Sequence, residues 1–118
     1  MEKYELTLNQ EKEIKEIYDR IGEKLGVGEF LIKDKSLKIR IAKFILELID
    51  QTVLELEDIE EVSYNIFGWF GKFNYNDELD EVLDIAGDLE GVSHVIGEPK
   101  EIFRRMRRIV EKYIDNKI

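Results

Sequence analysis

Apolar residues recur at three- and four-residue steps along most of this chain. That spacing lays a stripe along one side of an α-helix, whereas a half-buried strand needs strict alternation. The clearest stripe is Ile102, Phe103, Met106, Ile109, Val110, Tyr113 and Ile114. Pro99 stands just ahead of it, at a first helical turn, where a missing amide hydrogen costs nothing. Leu8, Ile14, Ile17, Tyr18, Ile21 and Leu25 predict a helix near the start of the chain, capped by Thr7 or Asn9. Gly26 is its expected left-handed stop.

Three more helices follow from the same pattern. Leu37, Ile41, Phe44, Ile45, Leu48, Ile49, Thr52, Val53 and Leu56 predict one long helix after Ser36 as cap. Ile39 and Leu46 widen its apolar arc, as expected of a central, mostly buried element. A rival pattern covers residues 30–41. There Leu37, Ile39 and Ile41 alternate with Lys38 and Arg40, which would pair them in a short hairpin with Phe30 to Ile32. The helix is preferred because its period runs unbroken to Leu56, while the alternation lasts five residues. Asp58 and Glu61 have capping-box spacing ahead of a stripe of Ile59, Val62, Ile66, Trp69 or Phe70, and Phe73, which Gly71 breaks. Asn76 is the expected cap of a fourth helix, with Leu79, Val82, Leu83, Ala86 and Leu89 inward and Gly91 as stop. The expected fold is all-α, a compact bundle of about five amphipathic helices in one acidic domain over residues 1–118. The alternative is α+β with a short hairpin near residues 30–41.

Composition bounds the function. The 118 residues include no cysteine, which excludes disulfides, thiolate metal sites and a cysteine nucleophile. The first twenty residues alternate charged and apolar groups, unlike a signal peptide. No apolar run approaches the roughly 20 residues that cross a bilayer. A cytoplasmic protein without membrane contact is expected. The lean toward Ile, Lys and Glu, with only two glutamines, matches heat-adapted proteins.

The net charge of −9 is distributed unevenly. Residues 1–32 carry −3, residues 33–43 carry +4, residues 44–99 carry −14 and residues 100–118 carry +4. Such blocks either neutralise one another within the fold or face a separate charged partner.

Three constellations stand out. Residues 64–76 hold six of the twelve aromatic side chains. The expected arrangement is a core corner built on Phe67, Phe70 and Phe73, with Trp69 and Tyr75 at an outer edge that contacts a partner or a second copy. Asp77, Asp80, Glu81, Asp84 and Asp88 lie on one helical face; like charges at that spacing cost about 0.2–0.5 kcal/mol per pair. The order of these residues lacks that of a calcium loop, so no metal is expected. In the run from Phe103 to Arg108, Arg105 and Arg107 flank the apolar stripe and are expected to bridge to the acidic third and fourth helices. Arg104 and Arg108 point away and are the candidate nucleic-acid contacts, although the overall negative charge opposes that binding. His94, the one histidine, has no second imidazole or thiolate and reads as a loop residue.

These features predict a non-enzymatic interaction or regulatory module without a cofactor, acting on a protein partner or as a homodimer. The interaction residues expected are Trp69, Tyr75, Asp80, Asp84 and Asp88. The alternative is a nucleic-acid-binding module using Arg104 and Arg108, joined by residues 33–43 if those lie alongside the last helix. A carboxylate-based metal enzyme is a third class, with no pair of carboxylates singled out by the sequence.

Overall fold

The apolar stripes require a common interior, and five helices supply it. The computed structural model describes residues 5–26, 28–52, 56–90 and 98–117, without the side chains of Leu56 and Glu57. Helix α1 spans Leu8–Lys24, α2 Lys35–Asp50, α3 Leu56–Phe70, α4 Glu78–Leu89 and α5 Pro99–Lys117. Helix makes up 77% of the described residues, which include no strand, so the fold is all-α.

Helix α2 runs antiparallel to both α1 and α5. Gln10 of α1 meets Gln51 at one end of α2, while Lys24 meets Asp34 at the other. Arg107 of α5 reaches Asp50 at the C-terminal end of α2. Helix α4 packs against α3 and α5, completing the bundle. Ile17, Ile41, Phe44, Ile45, Ile66, Phe70, Leu83 and Phe103 meet in one core with residues of all five helices. Burying such a side chain contributes about 1.5–3 kcal/mol. An exposed ion pair contributes about 0–1 kcal/mol. The interior therefore dominates the stability, and the surface pairs mainly set geometry. Ser63 is the exception inside: its Oγ is buried without a hydrogen-bond partner among the described residues.

Helix limits differ from the sequence reading where side chains compete for backbone groups. Thr7 caps α1 and exchanges hydrogen bonds with Gln10 in a capping box. Leu8, expected inward, is 76% exposed because it precedes the turn that packs on α2. The left-handed glycine is Gly28, with φ 81°, rather than Gly26. Asp34, not Ser36, caps α2: its Oδ1 accepts the Leu37 amide at 2.8 Å and the Ser36 hydroxyl at 2.7 Å. Asp58 lies inside α3 rather than capping it, at a position that the helix dipole still favours for a carboxylate. Asp77, not Asn76, caps α4, while Asn76 takes the left-handed conformation at φ 57°.

The long central helix also ends early, at Asp50. The Thr52 hydroxyl donates to the Leu48 carbonyl at 2.6 Å, and its amide donates to Ile49 three residues back. These bonds tighten and close the last turn. Val53, Gly91 and His94 lie outside the described residues.

The hairpin over residues 30–41 does not form. Residues 35–41 are helical, and the extended residues Phe30 to Ile32 pair with Asn74 instead. The Asn74 amide donates to Phe30 at 2.8 Å, and the Ile32 amide donates to Asn74 at 2.9 Å. This bridge ties the α1–α2 connection to the α3–α4 connection.

Two measurements check this account. A Cβ added at Gly71 would lie 2.5 Å from the Phe67 carbonyl oxygen, whereas at Gly68, on the exposed side of α3, it meets nothing. Gly71→Ala should therefore cost about 1–3 kcal/mol, and Gly68→Ala should gain about 0.5–1 kcal/mol, in urea unfolding. Hydrogen bonds from Ser36 and the Leu37 amide hold the Asp34 carboxyl down at about 2, against an ordinary value of 3.8. Its contribution is present above pH 3.8 and is lost as pH falls toward 2. Asp34→Ala should thus cost about 1 kcal/mol at neutral pH, a difference that narrows between pH 4 and 2 in acid unfolding curves.

Candidate functional site

The connection between α3 and α4 positions everything near it. Tyr75 is fully buried, which corrects its expected place on an exposed edge. Its ring fills the corner between the two helices, and its hydroxyl donates to the Phe70 carbonyl at 2.8 Å. Burial pushes the Tyr75 phenol far above its ordinary value, so it remains a donor. The Asp80 carboxylate accepts the Tyr75 amide at 2.8 Å and the Asn76 amide at 2.9 Å. Asp80 is consequently a clamp on this connection rather than a free surface charge.

Lys38 fixes the same corner from α2. Its Nζ donates to the Tyr75 carbonyl at 2.7 Å and lies 3.2 Å from Asp77 Oδ2. The Tyr113 hydroxyl of α5 donates to that oxygen at 2.9 Å. Burial, then the bond to Asp77, raises the Tyr113 phenol well above its ordinary range. The sequence reading missed Lys38. Its signal was a lysine in a first helical turn, where the dipole disfavours a cation unless a carboxylate answers it.

On the outer side of α3 and α4 a different surface remains. Trp69 is half-buried, packed edge-on to Phe70 and tilted against Phe44, and its carbonyl accepts the Tyr18 hydroxyl. The exposed aromatic of this stretch is Tyr64, 60% exposed. That too was legible, since position 64 falls opposite the Ile59, Val62 and Ile66 stripe. One turn along, the Phe67 ring lies over Gly87 of α4, within 2.9 Å of where a Cβ would sit. Asp84 and Asp88, one turn apart beside Gly87, are exposed, as is Glu60 one turn before Tyr64. No cation among the described residues pairs with Asp84, Asp88 or Glu60. The predicted carboxylate face therefore divides: Asp77 and Asp80 serve the fold, Glu81 pairs with Arg105 at 2.8 Å, and Asp84 and Asp88 stay open.

The arginines divide as well. Arg105 reaches α4 as expected, but Arg107 turns to α2, where Nη2 lies 2.7 Å from Asp50 Oδ1. Arg104 pairs with Glu101 on its own helix. Arg108 has no carboxylate among the described residues within ion-pair distance. Arg104, Arg107 and Arg108 border one cleft at the C-terminal end of α2. Lys33, Lys35 and Lys38 meet α5 only at its other end, in a cleft shared with Lys117 and Asn116. The two basic segments thus lie alongside each other without bringing the lysines to Arg104 and Arg108. Among the described residues, no three His, Asp or Glu side chains are gathered to hold a metal ion. No described helix is long and apolar enough to cross a membrane.

No protein-family model matches the sequence, and searches of curated proteins and of solved structures gave no significant match.

The split within the acidic face has a direct check. Asp80→Ala removes the acceptor of two amides and should cost about 1.5–3 kcal/mol. Asp84→Ala and Asp88→Ala should each stay within about 0.5 kcal/mol of the parent in the same denaturation series.

Proposed function

We propose that this protein is a non-catalytic binding module whose outer α3–α4 face docks a basic segment of a partner protein. The observation that carries this reading is Tyr64 standing exposed beside the Phe67–Gly87 contact, flanked by the open carboxylates of Asp84, Asp88 and Glu60. An amphipathic aromatic anchor on a rigid helix loses little entropy on binding and is the side chain type that dominates interface energies. Carboxylates crowded on one helical face repel one another, and a partner's cations relieve that repulsion while steering association. Elsewhere several charges are answered within the chain: Arg40 lies against Glu13 and Glu16, Lys24 against Asp34, and Lys38 against Asp77. Residues 56–90 hold eleven acidic side chains and Lys72 alone as cation. Lys72 sits over the Tyr18 and Phe73 rings. The open carboxylates beside Tyr64 thus belong to a strongly acidic stretch that offers little cationic compensation of its own. A second copy of the chain is the simplest such partner, through its own basic edge.

Titration calorimetry with a lysine- and arginine-rich peptide at low salt should give saturable binding that weakens as salt rises. Tyr64→Ala, and separately Asp84→Lys with Asp88→Lys, should each weaken it at least tenfold. Light scattering across a concentration series reports whether the partner is a second copy. A peptide that fails to bind the parent protein, or binds parent and variants equally, overturns the reading. Salt-sensitive binding of duplex DNA that Arg104→Glu with Arg108→Glu abolishes would replace it with nucleic-acid recognition.

A further inference from the structure

The cleft between the end of α2 and the start of α5 is not used by the α3–α4 face. It encloses about 380 Å³. That lies within the range of about 300–1,000 Å³ typical of small-molecule sites. Ile49 and Thr52 from the end of α2 line it together with Phe103, Arg104, Arg107 and Arg108 of α5. The three arginines occupy positions i, i+3 and i+4 of α5, so their side chains rise from one helical face. Among the described residues, Asp50 is the acidic side chain lining the cleft, and it pairs with Arg107. Counted over the described lining residues alone, three guanidiniums against one carboxylate leave two positive charges, while Glu101 and Glu111, outside the lining, approach Arg104 and Arg107.

From this geometry we infer that the cleft binds a phosphate monoester carrying a small apolar or aromatic body. A phosphate monoester holds about −1.5 to −2 charges near neutral pH, which matches the lining. Guanidinium forks donate paired hydrogen bonds to its oxygens, and helical spacing lets more than one arginine share it. The Arg104–Glu101 pair is exposed on both sides, 45% and 64%, so water screens it and Arg104 is freed at small cost. A bare phosphate would leave most of the volume empty. The apolar lining, the edges of the buried Ile49 and Phe103 together with the arginine methylenes, instead suits a small organic body, so anchor and filler come from one ligand. A carboxylate would satisfy one fork and leave the second positive charge unanswered.

The probe is phenyl phosphate, with inorganic phosphate and phenol as its two halves, in calorimetry at low salt. Phenyl phosphate should bind at least tenfold more tightly than either half. Its affinity should fall as pH drops from 7.5 to 5.5 and the ester loses its second charge. Arg104→Ala with Arg108→Ala should weaken it at least tenfold, while Arg105→Ala, which faces α4, should leave it unchanged. Circular dichroism confirms that each variant is folded. Equal affinity for phenyl phosphate and inorganic phosphate overturns the inference, as does the absence of saturation at millimolar ligand. Equal losses for the Arg105 variant and the double variant overturn it too. Loss of basic-peptide binding by the Tyr64 variant, with phenyl phosphate binding intact, separates this cleft from the α3–α4 face.

Discussion

One ion pair organises the end of the bundle. Lys38 and Asp77 have side chains only 14% and 12% exposed, and their contact joins the first turn of α2 to the cap of α4. Tyr113 brings α5 to the same carboxylate, and the Tyr75 carbonyl takes another hydrogen of the same ammonium. Removing two charges from water is costly, so such a pair adds little net stability over an apolar contact. What it supplies is direction. A hydrophobic contact tolerates sliding and rotation, whereas an ammonium shared between a carboxylate and a carbonyl does not.

That fixed corner explains how a short chain carries two surfaces of opposite character. With the α3–α4 connection held by Tyr75, Asp80 and Lys38 and the Phe67 ring packed over Gly87, the outer faces of both helices are set. Tyr64, Asp84 and Asp88 are thereby held on a fixed framework, which is what the proposed docking of a basic segment requires. Helix α5, held near its C-terminus through Tyr113 and at its middle through Arg107 and Asp50, presents Arg104, Arg107 and Arg108 at the end of α2. Charge separation along the sequence becomes charge separation across the molecule.

Neutralisation inside the chain is selective, and its pattern follows packing. Arg105 and Glu81 meet because α5 lies against α4, while Asp84, one turn further along α4, faces solvent. Arg107 sits three residues from Arg104 on the same face, yet Asp50 draws it to α2. Formal charge counted along the sequence could place an acidic block and a basic helix. It could not say which carboxylate meets which guanidinium, since that depends on the rotation of each helix about its own axis.

Local periodicity alone pointed to the five helices of the described residues and, Leu8 apart, to the side of each that turns inward; Ile17, Ile45, Ile66, Leu83 and Met106 are all buried as their spacing requires. A stripe needs no knowledge of its partner, only a water-free side. The caps at Asp34 and Asp77, the early end of α2 and the burial of Tyr75 were decided by tertiary structure. Each hinges on competition between neighbouring groups for the same amide or carbonyl, or on a ring finding space between two helices. The same holds for Lys38, whose carboxylate partner lies thirty-nine residues away. Hydrophobic spacing is written within one turn of helix, whereas hydrogen-bond and charge partners are chosen only once distant segments have been brought together.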